Sequence, residues 1–61
     1  MASFNDIINL RKEEGLSQRE LSKMLHIPLR TWENWESGIR KPPQYLIDLI
    51  MFRLNTEFNT K

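Results

Sequence analysis

Arg30 and Asn34 stand four residues apart in the stretch Pro28-Leu29-Arg30-Thr31-Trp32-Glu33-Asn34-Trp35-Glu36-Ser37, a spacing that sets two side chains on one face of a helix. Arginine offers two parallel donors that match O6 and N7 of guanine. The carboxamide of asparagine both donates and accepts, and matches N6 and N7 of adenine. Each such bidentate contact discriminates against a wrong base by about 1–3 kcal/mol. Leu29 can touch a thymine methyl, or it can cover the edge of the Trp32 ring three residues on. Glu33 can accept from cytosine N4, or it can repel phosphate and orient Arg30. Arg40 and Lys41 are placed just downstream, where cations attract phosphate regardless of base sequence.

Other chemistries lack their parts. The chain has one histidine, His26, and no cysteine, so it offers no thiolate or mixed metal site and no disulfide staple. No metal and no cofactor are expected. No carboxylate pair falls in a plausible cleft, no Ser/His/Asp set is in register, and no glycine-rich loop cradles phosphate. The sequence does not read as an enzyme.

The elements that would carry Arg30 and Asn34 are marked by local signals. Ser3 with Asp6 three residues later is a short-armed capping box, and Phe4, Ile7 and Ile8 recur at helical spacing before Gly15. A first helix is expected over about 4–14. Ser17-Gln18-Arg19-Glu20 is a full capping box, followed by Leu21, Met24 and Leu25 on one face, so a second helix is expected over about 18–25. Pro28 disfavours helix at Ile27 and itself suits a helix start. His26-Ile27 therefore reads as a tight turn into a third helix, about 28–37, which Gly38 ends. Trp32 and Trp35 share a face of that helix, and helical spacing marks them as core. Pro42-Pro43 opens a fourth helix, about 43–55, with a polar, frayed tail beyond it. No segment reads as a strand.

Length sets the scale. Sixty-one residues make a single domain over 1–61, and a chain of this size hides only about 60% of the surface its unfolded form exposes. Net charge is +1, which by itself gives weak support for a polyanionic partner. Its distribution says more: Arg19, Lys23, Arg30, Arg40 and Lys41 lie mid-chain, and Glu13, Glu14, Asp48 and Glu57 lie outside, an arrangement suited to a local positive face. No apolar run approaches the roughly 20 residues a bilayer crossing needs, and Met1 reads as a start without a signal-peptide pattern. A cytoplasmic location is expected, with neither a membrane nor a small-molecule substrate among the partners.

The short link between the second and third helices is what a steep crossing requires, as in a helix-turn-helix unit. Residues 10–43, LRKEEGLSQRELSKMLHIPLRTWENWESGIRKPP, resemble the lambda-repressor/Cro-like helix-turn-helix family, also called the XRE family. The resemblance is carried by Leu10-Arg11, Gly15-Leu16-Ser17-Gln18, Glu20-Leu21, Ile27, Thr31, Trp35-Glu36, Gly38 and Pro43, and it covers about residues 4–54. It implies an all-α fold of four, or with a further segment five, helices. It implies that Gln18 bonds a phosphate and braces the recognition helix, and that Leu29, Arg30, Glu33 and Asn34 read bases. Phosphates would be held by the loop over 37–41 through Ser37, Arg40 and Lys41, with Arg19 and Thr31 completing the set. Arg11 and Glu36 would form a structural ion pair. The chain departs from the pattern at His26, where glycine is frequent, at Pro28 in place of a serine or threonine cap, and at Trp32 in place of an aliphatic residue.

The resemblance also implies a function class: a sequence-specific DNA-binding transcriptional repressor and autoregulator of bacterial or phage type, of the Cro-like, antitoxin or anti-CRISPR-associated kind. It would act as a homodimer on a palindromic operator of double-stranded DNA. The fourth helix enters here. Tyr45, Leu46, Ile47, Leu49, Ile50, Met51, Phe52 and Leu54 cover most of its circumference. A face around Leu46, Leu49 and Ile50 is expected to close the core. Ile47, Met51, Leu54 and Phe58 are left as an expected two-fold seam between copies, because an exposed apolar stripe marks an interface. The alternative is a protein-interaction module, an antitoxin or inhibitor, whose fourth helix docks a protein partner.

Overall fold

The computed structural model describes residues 2–58. Four helices follow in order: α1 (Phe4–Glu13), α2 (Gln18–Met24), α3 (Leu29–Ser37) and α4 (Gln44–Phe58), with no strand among the described residues. The fold is the all-α class that the periodicity implied.

Two of the starts are fixed locally. The Asp6 N–H donates to Ser3 Oγ at 3.3 Å, and the Ser3 N–H donates back to the Asp6 carboxylate at 2.9 Å. Ser17 and Glu20 repeat the exchange at 3.0 and 2.9 Å. Each box satisfies two backbone donors near the helix start. Hydrogen bonds from the Ser17 backbone N–H and hydroxyl hold the Glu20 carboxyl below its ordinary range.

The ends of α1 and α2 share one geometry. After α1, Gly15 adopts φ 70°, the Leu16 N–H reaches the Arg11 carbonyl at 3.0 Å, and the Gly15 N–H reaches that of Lys12 at 3.1 Å. After α2, His26 adopts φ 58°, the Ile27 N–H reaches the Ser22 carbonyl at 2.9 Å, and the His26 N–H reaches that of Lys23 at 3.2 Å. Both are Schellman turns. Glycine meets the left-handed conformation without strain, whereas a residue with a Cβ costs about 1 kcal/mol there. Histidine tolerates it better than branched residues do.

The core is Ile7, Leu21, Trp32, Ile47, Ile50 and Leu54, one or more from every helix. Phe4, Trp32 and Trp35 form an aromatic cluster with ring centroids 5.3–6.1 Å apart. Those contacts tie α1 to α3, while α2 packs on α3 and α1 on α4. The start of the described chain is tied to α4 by Gln44, whose side-chain amide donates to the Ala2 carbonyl at 2.7 Å and to Asp48 at 3.0 Å.

The structure corrects the reading of α4 in two ways. Its buried face is Ile47, Ile50 and Leu54, with Leu46 partly buried against it; of the face expected around Leu46, Leu49 and Ile50, Leu49 instead points outward and is 60% exposed. Ile47 and Leu54, expected to be free for a seam, lie in the chain's own core, and Met51 and Phe58 are half-buried against it. The outward stripe is Tyr45, Leu49 and Phe52. A helix that is apolar nearly all round carries little periodic signal, so packing against the other helices decides its rotation. The helix also runs to Phe58 rather than ending near Asn55. Phe58 packs on the core, and the Arg53–Glu57 pair at 3.2 Å supports the last turn.

Among the described residues, no helix is long and apolar enough to cross a membrane.

Candidate nucleic-acid interface

The turn between α2 and α3 is held from both sides. Leu25 caps α2, His26 reverses the chain in its left-handed conformation, and Pro28 enters α3 with φ −55° and ψ 136°. The Pro28 carbonyl accepts from the Trp32 N–H at 3.1 Å. Ser22, buried at the end of α2, donates its hydroxyl to the Arg19 carbonyl at 3.0 Å, so its polar atom is not stranded beneath the turn.

Trp32 sets the rotation of α3. Its side chain is fully enclosed and Trp35 is half-buried on the same side. Helical periodicity then assigns Arg30, Glu33, Asn34 and Ser37 to the opposite side. Arg30, Glu33 and Ser37 are exposed and Asn34 is half-buried. Leu29 and Thr31 are half-buried on the flanks. At the C-terminal end Ser37 donates to the Asn34 carbonyl at 3.1 Å, and Gly38 takes φ 86° to release the chain into the loop. Arg40 and Lys41 are exposed there, the Arg40 N–H folds back to the Asn34 carbonyl at 3.2 Å, and Pro42 anchors the loop by burial. Ile39, beside these cations, is 72% exposed, which sequence reading did not single out.

A charged knot holds α1, α2 and α3 together beneath this surface. Arg11 Nε donates to Glu36 Oε2 at 2.9 Å, Nη2 donates to Oε1 at 2.9 Å, and Nη1 donates to the Leu16 carbonyl at 2.8 Å. Both side chains are about 10% exposed, at 11% and 10%. Trp32 Nε1 also donates to Glu36 Oε2, and the Gln18 amide donates to the same carboxylate. Burial pushes the Glu36 carboxyl up, but the hydrogen bonds from Arg11, Trp32 and Gln18 and the charge of Arg11 together outweigh it, and the group titrates below its ordinary range. Arg11 and Glu36 thus form the ion pair that the resemblance implied. The resemblance implied that Gln18 braces the recognition helix without naming Glu36 as its partner, and the Trp32 bond to Glu36 was not foreseen. Only the i,i+4 spacing of Trp32 and Glu36 hinted at it.

The remaining cations are arranged differently. Among the described residues, Arg19, Lys23, Arg30, Arg40 and Lys41 are exposed and have no carboxylate within ion-pairing distance. No enclosed pocket and no cluster of three or more His, Cys, Asp or Glu side chains able to hold a metal is found among the described residues. What the arrangement offers is a convex helix face with donors and acceptors, flanked by unpaired positive charge.

No curated protein and no solved structure matches the chain. A helix-turn-helix family model matches residues 7–58, which takes in all of α2, the turn, α3 and α4. The chain therefore belongs to the lambda-repressor/Cro-like (XRE) helix-turn-helix family, a family of DNA-binding regulators of transcription.

Proposed function

We propose that the protein is a sequence-specific repressor that reads double-stranded DNA by laying α3 in the major groove. The observation that carries this reading is the division of α3: the indoles of Trp32 and Trp35 face inward, and Arg30, Glu33 and Asn34 share the side facing away from them. Arg30 takes guanine O6 and N7, Asn34 takes adenine, and Leu29 and Glu33 border them. Gln18, Arg19, Thr31, Ser37, Arg40 and Lys41 hold phosphates and fix the register, a task that carries no base information. Gln18 combines two tasks, since its amide also braces Glu36.

Two copies bind a palindromic operator, with their recognition helices in successive major grooves about 34–36 Å apart. Repression follows from blocking polymerase. Selection of bound duplexes from a random pool tests this. The expected result is a two-fold symmetric site of defined sequence. Recovery of unrelated sequences would show that base reading fails.

A second reading is favoured by one observation, the exposed stripe Tyr45, Leu49 and Phe52: a module that docks a protein partner through α4. It makes no use of Arg30 and Asn34. Retention on heparin that collapses with modest salt supports the DNA reading, and weak retention at all salt concentrations supports the second.

A further inference from the structure

We infer that Ile39 is an apolar DNA contact, which packs against a deoxyribose between two phosphates and tightens binding without reading sequence. The inference rests on the DNA reading of α3 and extends it to a side chain with no charge and no polar atom. The starting point is exposure. Ile39 is 72% exposed. The other large apolar side chains that stand in solvent, Tyr45, Leu49 and Phe52, lie together on α4, and Ile39 lies apart from them in the loop between α3 and α4.

A single exposed apolar residue needs no explanation by itself. What marks Ile39 is how firmly it is held. The Gly38 N–H donates to the Trp35 carbonyl at 3.3 Å, and the Arg40 N–H donates to the Asn34 carbonyl at 3.2 Å. Ser37 Oγ donates to that same Asn34 carbonyl at 3.1 Å. Both chain neighbours of Ile39 are thus tied to the last turns of α3, and buried Pro42 anchors the far end of the loop. The side chain is β-branched, which restricts χ1. A group fixed in this way loses little freedom when a ligand covers it.

The neighbours name the occupant. Arg40 and Lys41 are exposed and, among the described residues, have no carboxylate within ion-pairing distance. On the DNA reading Ser37 holds phosphate on one side of Ile39, and Arg40 and Lys41 hold phosphate on the other. The group between consecutive phosphates of a strand is the sugar, whose carbons offer the apolar surface that phosphate lacks. A deoxyribose contact carries no base information. It neutralises no phosphate and releases no counterion, so its contribution does not depend on salt. A protein partner fits poorly. Stable protein interfaces bury at least about 1,200 Å², and the apolar surface here is one side chain followed by two positive charges.

Binding to a random-sequence duplex pool at low salt tests the contact, alongside a second pool in which deoxyuridine replaces thymidine. Ile39→Ala is expected to weaken binding to both pools about tenfold, with the melting temperature and the slope of log K against log salt unchanged. Ile39→Val is expected to keep most of the affinity. Ile39→Thr has nearly the shape of Ile39→Val but carries a hydroxyl, and it is expected to lose as much as Ile39→Ala. Unaltered affinity in Ile39→Ala overturns the contact. A loss confined to the thymidine pool overturns the sugar assignment and moves Ile39 to a thymine methyl. A lowered salt slope also overturns it, because the substitution then acts by displacing Arg40 or Lys41. Equal affinity of Ile39→Val and Ile39→Thr overturns its apolar character. A wild-type chain that binds neither pool defeats the DNA reading itself, whereas wild-type binding with an unaffected Ile39→Ala defeats this inference alone.

Discussion

Arg11 and Arg30 carry the same guanidinium, yet one is enclosed where three helices meet and the other stands in solvent on α3. Arg11 donates to both oxygens of Glu36 and to the Leu16 carbonyl, and Glu36 receives two further bonds from Trp32 and Gln18. Arg30 has no carboxylate partner among the described residues. A charge drawn out of water must be matched inside the protein. A charge left in water needs no match and remains available to a phosphate or a base edge. Enclosed charge fixes the angle at which α3 is presented, and exposed charge supplies what α3 presents.

That contrast is most easily broken at the enclosed end. Arg11→Ala leaves the Glu36 carboxylate half-compensated, a loss of about 3–5 kcal/mol for a broken buried pair. A domain this small holds little more than that in total, so urea denaturation and circular dichroism should show a largely unfolded chain. Arg11→Lys should retain part of the stability, since it restores the charge without the two-pronged geometry.

Acid attacks the same knot. The folded-state pKa of Glu36 lies below its unfolded value, so its contribution is fully present above about pH 4.3. It is lost as pH falls through the folded value. Glu20 adds to the trend with the same sign. Wild-type unfolding midpoints should therefore fall on acidification. Glu36→Gln should be less stable at neutral pH and show a flatter acid limb; an equally steep limb would remove Glu36 as the source.

At the exposed end the expected effects move from folding to binding. Arg30→Ala should leave the melting temperature almost unchanged while removing about 1–3 kcal/mol of discrimination at one base pair, as measured with a panel of single-base operator variants. Uniform weakening across the panel would reassign Arg30 to phosphate. Lys41→Ala should weaken binding to every sequence and lower the slope of log K against log salt by about 0.9. The smallest change is expected for Arg53→Ala. Its pair with Glu57 is about half exposed, at 49% and 45%, and such i,i+4 pairs contribute about 0.3–0.5 kcal/mol. A large loss of monomer stability there would refute the distinction between enclosed and exposed pairs.

How much of this could be read from the residues depends on the range of the interactions. Ser3 with Asp6, Ser17 with Glu20, Gly15, Pro28 and Gly38 act within a few residues of themselves, so helix starts, helix ends and the short α2–α3 link are written locally. The inward face of α3 was also legible, because two tryptophans three apart on a helix that is otherwise polar after Leu29 leave one rotation open. Neither condition holds for α4. Nine apolar side chains surround it, so no rotation is excluded by pattern. Only packing against the other helices buries Ile47, Ile50 and Leu54 and leaves Tyr45, Leu49 and Phe52 outside. The convergence of Arg11, Gln18, Trp32 and Glu36 has the same origin. Up to 25 residues separate its members along the chain, and their meeting is decided by how α1, α2 and α3 pack, a property of the assembled helices and of no single segment.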